Sequence, residues 1–378
     1  MSPPNFREVG LTKERLAFLR VIEIAFPKES RVRTARHLLA ALAVMATASL
    51  TACGGDKASP STAAGTGAAK GSIVLYNAQH EEVGKAWADA FTAKTGIKVE
   101  IRNGSDFELA NQIVVEGAAS PADVFITENS PAMALVSSKD LFASVDAATK
   151  AQVPAQYSSS KGDWVGVAAR STVFVYNSSQ LTDDRLPKSI MDLAKPEWKD
   201  RFGISPSGAD FQAIVSAVYA VQGDAAATAW LQGIKDNAKI YRGNGTIMKA
   251  ANSGEVPGGV IYHYYWYGDQ ADGGANSSNT KLEFFGGKDA GAFLSVSGGG
   301  VLKSSKHAAE AQRFLAYMTS PEGQKLLADS NALEYTVGTG VPANPKLKPL
   351  AELDIPAVDL NTLNGPKVIE NMQQVGLL

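Results

Sequence analysis

The 378-residue chain has one cysteine and four histidines. Cys53 has no second cysteine to pair with, so the chain holds no internal disulfide. The rest of it can supply neither a catalytic thiol nor the cysteine pairs of a structural zinc site. Basic charge is not in excess either. Of the 36 Lys and Arg and the 38 Asp and Glu, residues 1–52 hold eight and four, so the remainder carries 28 against 34, a net charge of −6. That balance argues against nucleic acid as a partner, because phosphate recognition needs a basic face. The apolar stretch Leu38–Leu50 is too short to span a bilayer permanently. Enzyme signatures are also missing: there is no nucleophile elbow with a Ser-His-Asp order, no phosphate loop and no paired acid site. What is present is an ordinary soluble composition, 45% hydrophobic and 20% charged. The length exceeds what one core usually serves, which predicts two domains.

The N-terminal region reads as a targeting segment. Arg31, Arg33 and Arg36 precede Leu38–Leu50, and Leu50-Thr51-Ala52-Cys53 follows, the order of a secretory signal. Leu-Thr-Ala-Cys resembles the lipobox of bacterial lipoproteins, which implies a lipid on Cys53 and a membrane-anchored, extracytoplasmic protein. Residues 1–30 fit this signal poorly and read as an upstream extension, with the true start near Val32. Residues 54–71 are small and polar and read as a flexible tether.

Strand–loop–helix units follow. Ile73–Tyr76 is expected as a strand, 77–80 as its loop and Glu81–Lys94 as a helix ended by Gly96. Lys98–Ile101, the helix Phe107–Gly117 and the strand Ala122–Thr127 come next. Pro131 then suits the first turn of another helix. Alternation at this spacing predicts βαβ units and mostly parallel sheets. Trp164–Asn177 and Phe293–Leu302 are long extended stretches that bracket a second α/β set: Phe202–Ile204, helices over 211–222, 225–236 and 246–252, and an aromatic run. Further helices are expected at 308–317, 321–327 and near 365–375. Gly298–Gly300 is not followed by Gly-Lys-Ser/Thr, so it reads as part of a hinge strand and not as a phosphate loop. One domain inserted into another through two extended crossings is a hinge architecture.

The aromatic run is Val260-Ile261-Tyr262-His263-Tyr264-Tyr265-Trp266-Tyr267. Its composition favours a strand. Successive strand side chains face opposite ways, so Tyr264 and Tyr265 would not both be core residues of a one-sided sheet. The pair is therefore expected at the strand's carboxyl end, where α/β sheets bind ligands. His80 and Glu128 occupy matching places after two other strands. Each has an ordinary alternative, His80 as a solvent-exposed loop residue and Glu128 as a helix-start acid. Together, two phenols, a carboxylate and an imidazole suit a hard, highly charged cation. Two phenolates and a carboxylate bring three negative charges, which match ferric iron, and Tyr is an iron ligand. The cation would ionise the phenols well below their usual pKa of about 10.

From about residue 72 onward the chain resembles the bacterial periplasmic ferric-binding proteins, the two-lobed, transferrin-like iron-binding components of ABC importers. The resemblance is carried by Tyr76-Asn77-Ala78-Gln79-His80, Ser120-Pro121-Ala122-Asp123-Val124-Phe125, Thr127-Glu128-Asn129, Pro196-Glu197-Trp198-Lys199, Ser207-Gly208-Ala209 and Tyr264-Tyr265-Trp266. It implies a type II periplasmic binding protein fold, an α/β fold in which each lobe is a mixed sheet flanked by helices, with two extended hinge crossings. It implies Fe(III) held by His80, Glu128, Tyr264 and Tyr265 with a synergistic anion, phosphate or carbonate, and delivery to an ABC permease and its ATPase by a monomer. The anion contacts by position are Asn129, Ser207, Gly208, Ala209 and Asn244. Ser207 and Asp210 have capping-box spacing that would leave backbone N–H groups at 208 and 209 for the anion. Asn129 stands where relatives often have Gln, and Tyr262 where some have Asn. The alternative in the same fold is a small organic solute, such as a thiamine- or phosphonate-like compound, against the tyrosines. The expected organisation is 1–52 extension and signal, 53–71 tether, 72–171 first lobe, 172–291 second lobe, 292–345 return to the first lobe, and 346–378 a C-terminal segment whose helix packs on the second lobe.

Overall fold

The computed structural model describes residues 71–378. The signal, Cys53 and the tether lie outside the described residues. Nine strands run in chain order: β1 Ser72–Asn77, β2 Lys98–Asn103, β3 Val124–Ile126, β4 Val165–Asn177, β5 Phe202–Ile204, β6 Lys239–Ile240, β7 Gly258–Tyr262, β8 Thr280–Glu283 and β9 Leu294–Val301. The helices are α1 Glu81–Thr95, α2 Asp106–Glu116, α3 Ser130–Ser138, α4 Ala147–Lys150, α5 Ala209–Gln222, α6 Asp224–Asn237, α7 Asn244–Ser253, α8 His263–Ala271, α9 Ala308–Thr319, α10 Pro321–Asp329 and α11 Gly365–Gln374.

Strand order is β2-β1-β3-β9-β4-β7-β5-β6, with β8 also on β4. Pairing is parallel within β2-β1-β3 and within β7-β5-β6, where helices carry the chain back between strands. It is antiparallel wherever β4 or β9 takes part. The sheets are therefore mixed, and the antiparallel members are the two long crossings. β4 belongs to both lobes. Val165–Ser171 pairs with β9, and Thr172–Asn177 pairs with β7 and β8. Every residue of β4 is buried, as expected for a strand with covered faces.

The local chemistry of the helices accounts for their ends. Glu81 and Glu82 sit in the first turn of α1, Lys94 in its last, and Gly96 caps it at φ 73°. Trp87 and Phe91 face the first lobe's core. Ser105 and Glu108 form a capping box on α2. In β9 the glycines admit large neighbours: a Cβ at Gly298 would lie 2.4 Å from Met133 and 2.9 Å from Trp164, and one at Gly300 would lie 2.7 Å from Phe142. α11 packs on α5 of the second lobe and also on α3 of the first, with Lys367 paired to Asp224 at its start.

Two sequence expectations fail here. The aromatic run is not one strand: β7 stops at Tyr262, and α8 begins at His263. The tyrosine pair therefore lies in the first turn of a helix. The capping box at Ser207 does not form either. α5 starts at Ala209 with Gly208 as N-cap, Ser207 is exposed, and the Asp210 side chain turns inward to other partners.

Candidate metal centre

Helix starts crowd the space between the lobes. His80 is the N-cap of α1, Asn129 of α3, Gly208 of α5 and Tyr262 of α8, while Asn244 opens α7. Each follows a strand or its loop, so the helix N-termini gather beyond the strands' carboxyl ends. Their partial positive charges favour anionic groups. Tyr264 and Tyr265, in the first turn of α8, are placed to gain from this as phenolates.

The four expected ligands come together. His80 Nδ1 lies 3.4 Å from Glu128 Oε1, and these two side chains are 23% and 24% exposed. The His80 ring meets Tyr264 edge-on with centroids 5.2 Å apart, and Tyr264 stacks on Tyr265 at 4.3 Å. Tyr264 is buried, yet its hydroxyl has no hydrogen-bond partner among the described residues. A buried hydroxyl without a partner carries a desolvation penalty that a ligand would remove. Burial first, then the Asp210 carboxylate, push the Tyr265 phenol up to about 12, and the same causes raise Tyr264 well above the usual range. Among the described residues no three His, Cys, Asp or Glu side chains form a metal-holding group by themselves.

Of the residues expected to hold an anion, Asn129 and Asn244 reach the centre. What they grip is Asp210. Its carboxylate accepts from Asn129 Nδ2 at 3.1 Å, Asn244 Nδ2 at 2.6 Å and the Tyr265 hydroxyl at 3.5 Å. Asn129 also takes the Tyr262 hydroxyl (3.1 Å) and the Ser295 hydroxyl (2.8 Å) on its Oδ1, so it bonds to both lobes. Gly208 and Ala209 lie at the start of α5 beside Asp210. Among the described residues the exposed Ser207 side chain makes no hydrogen bond to the other candidates.

Four further buried side chains complete the surroundings. Asp106 accepts the Glu128 N–H at 2.8 Å and an Asn129 amide hydrogen at 3.0 Å; burial and then the nearby Glu128 charge push it up to about 8. Arg170 is fully buried on β4, donates to the Glu128 carbonyl and lies 2.7 Å from Glu334 Oε1. Glu334 is also fully buried; burial alone would raise it, but Arg170 and then His80 hold it down to about 2. Gln79 bridges Arg170 and Glu334. A charged residue inside the otherwise uncharged stretch 165–177 was the one sequence signal for this group. Asp106 read as an ordinary helix-start acid, and Glu334 lay in a stretch with no pattern. Burial opposes protonation of His80, but Glu334 and Glu128 outweigh it and raise its pKa above the ordinary value. The centre thus gathers four carboxylates and the three phenols of Tyr262, Tyr264 and Tyr265 around one Arg and one His.

Comparison with known proteins agrees with this architecture. A family model described as bacterial extracellular solute-binding protein matches residues 119–360. The chain is 59% identical over 306 residues to the Fe(3+)-binding periplasmic protein of Serratia marcescens, covering 81% of this chain and 90% of that one. It is 38% identical over 297 residues to the major ferric iron-binding protein of Neisseria meningitidis, covering 77% and 88%. Among solved structures, iron-bound HitA from Pseudomonas aeruginosa superposes with a TM-score of 0.75 at 43% identity, covering 81% of this chain and 99% of that one. On the strength of these matches, the chain belongs to the bacterial extracellular solute-binding protein family.

Proposed function

We propose that this protein captures Fe(III) between its lobes through His80, Glu128, Tyr264 and Tyr265 and delivers it to an ABC permease and its ATPase. The observation that carries the reading is the meeting of two stacked phenols, one with an unpartnered buried hydroxyl, with an imidazole and a carboxylate from the other lobe. The ferric-iron names of the relatives support the choice of metal. The protein acts as a monomer, held to a membrane by lipid on Cys53.

The anion belongs to the same proposal. Asp210 already supplies a carboxylate where Asn129, Asn244 and the start of α5 converge. A separate phosphate or carbonate would have to displace it from both amides. Asp210 is therefore read as a built-in anion beside the metal, with the Ala209 N–H left for a second anion only if Asp210 turns away, because the Gly208 N–H donates to the Ser205 carbonyl at 3.1 Å.

Fe(III) supplied from a weak chelator should give a visible phenolate-to-iron band in the parent and none in the double variant Tyr264→Phe, Tyr265→Phe. Equal uptake by the two proteins would refute iron binding at this centre, and an organic solute bound without colour would favour the alternative ligand class. Added phosphate or carbonate should leave the parent's iron affinity unchanged but rescue Asp210→Asn. A strong anion requirement in the parent would overturn the assignment to Asp210.

A further inference from the structure

The loop after α10 is shaped around one side chain. Leu333 adopts φ 53°, a left-handed conformation that a branched L residue rarely takes. Tyr335 is tied in both directions to Ala169 of β4, by N–H to O bonds of 2.9 and 2.8 Å. Between these two fixed points Glu334 is turned inward and is fully buried.

Its carboxylate meets the candidate ligands from behind. Oε1 lies 2.7 Å from Arg170 Nη2 and 3.1 Å from His80 Nε2, and Oε2 accepts from Gln79 Nε2 at 3.2 Å. Gln79 Oε1 in turn accepts the backbone N–H of His80 at 2.7 Å and Arg170 Nη2 at 3.2 Å. Arg170 Nη1 donates to the carbonyl of Glu128. Gln79 therefore holds the backbone of His80 and Arg170 that of Glu128, and Glu334 links these two buried side chains. Glu334 also faces the imidazole. The contact to His80 is at ion-pair distance but is not an aligned hydrogen bond, and His80 Nε2 and Glu334 Oε1 have no other aligned partner among the described residues.

We infer that Glu334 is a positioning residue for metal capture: it holds one nitrogen of the His80 ring so that the other is presented toward Glu128 and the tyrosines. The inference rests on the reading of His80 as a ligand. A histidine that binds a metal commonly directs its second ring nitrogen at a carboxylate, which sets the tautomer and the ring orientation. The buried Arg170 neutralises Glu334, so the orienting carboxylate adds no net charge behind the metal. Because Arg170 sits on the strand shared by both lobes, the same group ties the ligand loops to the hinge.

The test uses Glu334→Gln, which keeps the shape and one acceptor oxygen for Arg170 while giving up the bond accepted from Gln79 Nε2. Loss of an orienting carboxylate should speed iron release to a competing chelator by about 10- to 100-fold. In a His80→Ala background the same substitution should add nothing, whereas a purely structural residue would act alike in both backgrounds. Equal effects in the two backgrounds, or no effect in the parent, overturn the inference. A second readout needs no iron. The side-chain NMR signals of isotopically labelled His80 should report one ring tautomer in the parent and averaging in Glu334→Gln. Where the parent gives no iron band, ferric capture fails, and this signal alone decides the role of Glu334: an unchanged spectrum overturns it. If Glu334→Gln does not fold, the pair Arg170→Gln with Glu334→Gln, which removes both members of the buried ion pair, carries the same measurements.

Discussion

A single oxygen atom on Tyr264 separates folding from capture. The hydroxyl is buried without a partner, while the ring packs on Tyr265 and His80 and lies 5.6 Å from the Arg170 guanidinium. Tyr264→Phe keeps the ring and removes a group whose burial costs about 1–3 kcal/mol. Thermal melting without iron should show the variant to be at least as stable as the parent, while its iron colour weakens sharply. A lower melting temperature would mean that the hydroxyl has a structural partner. Proton competition follows from the same residues. Both phenols are raised above their ordinary pKa, so at neutral pH they carry protons that Fe(III) must displace. Lower pH therefore means weaker binding, and displacing two protons gives a slope of about two powers of ten in affinity per pH unit. Chelator competition from roughly pH 6 to 8 measures that slope, and a flat profile would exclude phenolate ligation. The four candidate ligands could be named from residue type and loop position, and the fold brings their side chains together. Asp210, Glu334 and Arg170 could not, because their role depends on which distant carboxylates, amides and guanidinium groups the fold brings within 3 Å or so of one another.

The helices and strands were legible wherever the apolar period and the end signals agreed, as in β1–α1 with its first-turn acids and Gly96. The aromatic run deceived because its composition favours strands, while its structure was decided by where β7 loses its partner. Tyr262 is the last residue paired with Thr172, and α8 starts beyond it. The neighbouring glycines offer a check on packing. Gly298 in β9 has Met133 and Trp164 within 3 Å of where a Cβ would be, whereas Gly268 in α8 has open space around it. Gly298→Ala should overpack the crossing and cost about 1–3 kcal/mol in denaturant unfolding. Gly268→Ala should stabilise its helix by about 0.5–1 kcal/mol. Equal effects at the two positions would show that backbone entropy, and not the crowding seen at Gly298, governs this strand.

At the scale of the whole molecule, the lobes are joined by β4, which belongs to both, and by an amide, Asn129, bonded to Asp106 on one side and Asp210 on the other. The membrane anchor proposed at Cys53 lies outside the described residues. Cys53→Ser should abolish labelling by a lipid precursor and release the protein from the membrane fraction; labelling that persists would remove the anchor from the proposal. The loops that carry His80 and Glu334 are joined by a consequence in time as well as in space. Gln79 and Glu334 touch across 255 positions of sequence. A chain that emerges N-terminus first, from a ribosome or through a membrane pore, exposes His80 and Glu128 long before Glu334 can reach them. Until then Arg170 lacks its Glu334 partner, and the candidate ligand loops lack the group that ties them together. The buried group that ties the two candidate loops together is therefore complete only once Glu334, late in the chain, is in place.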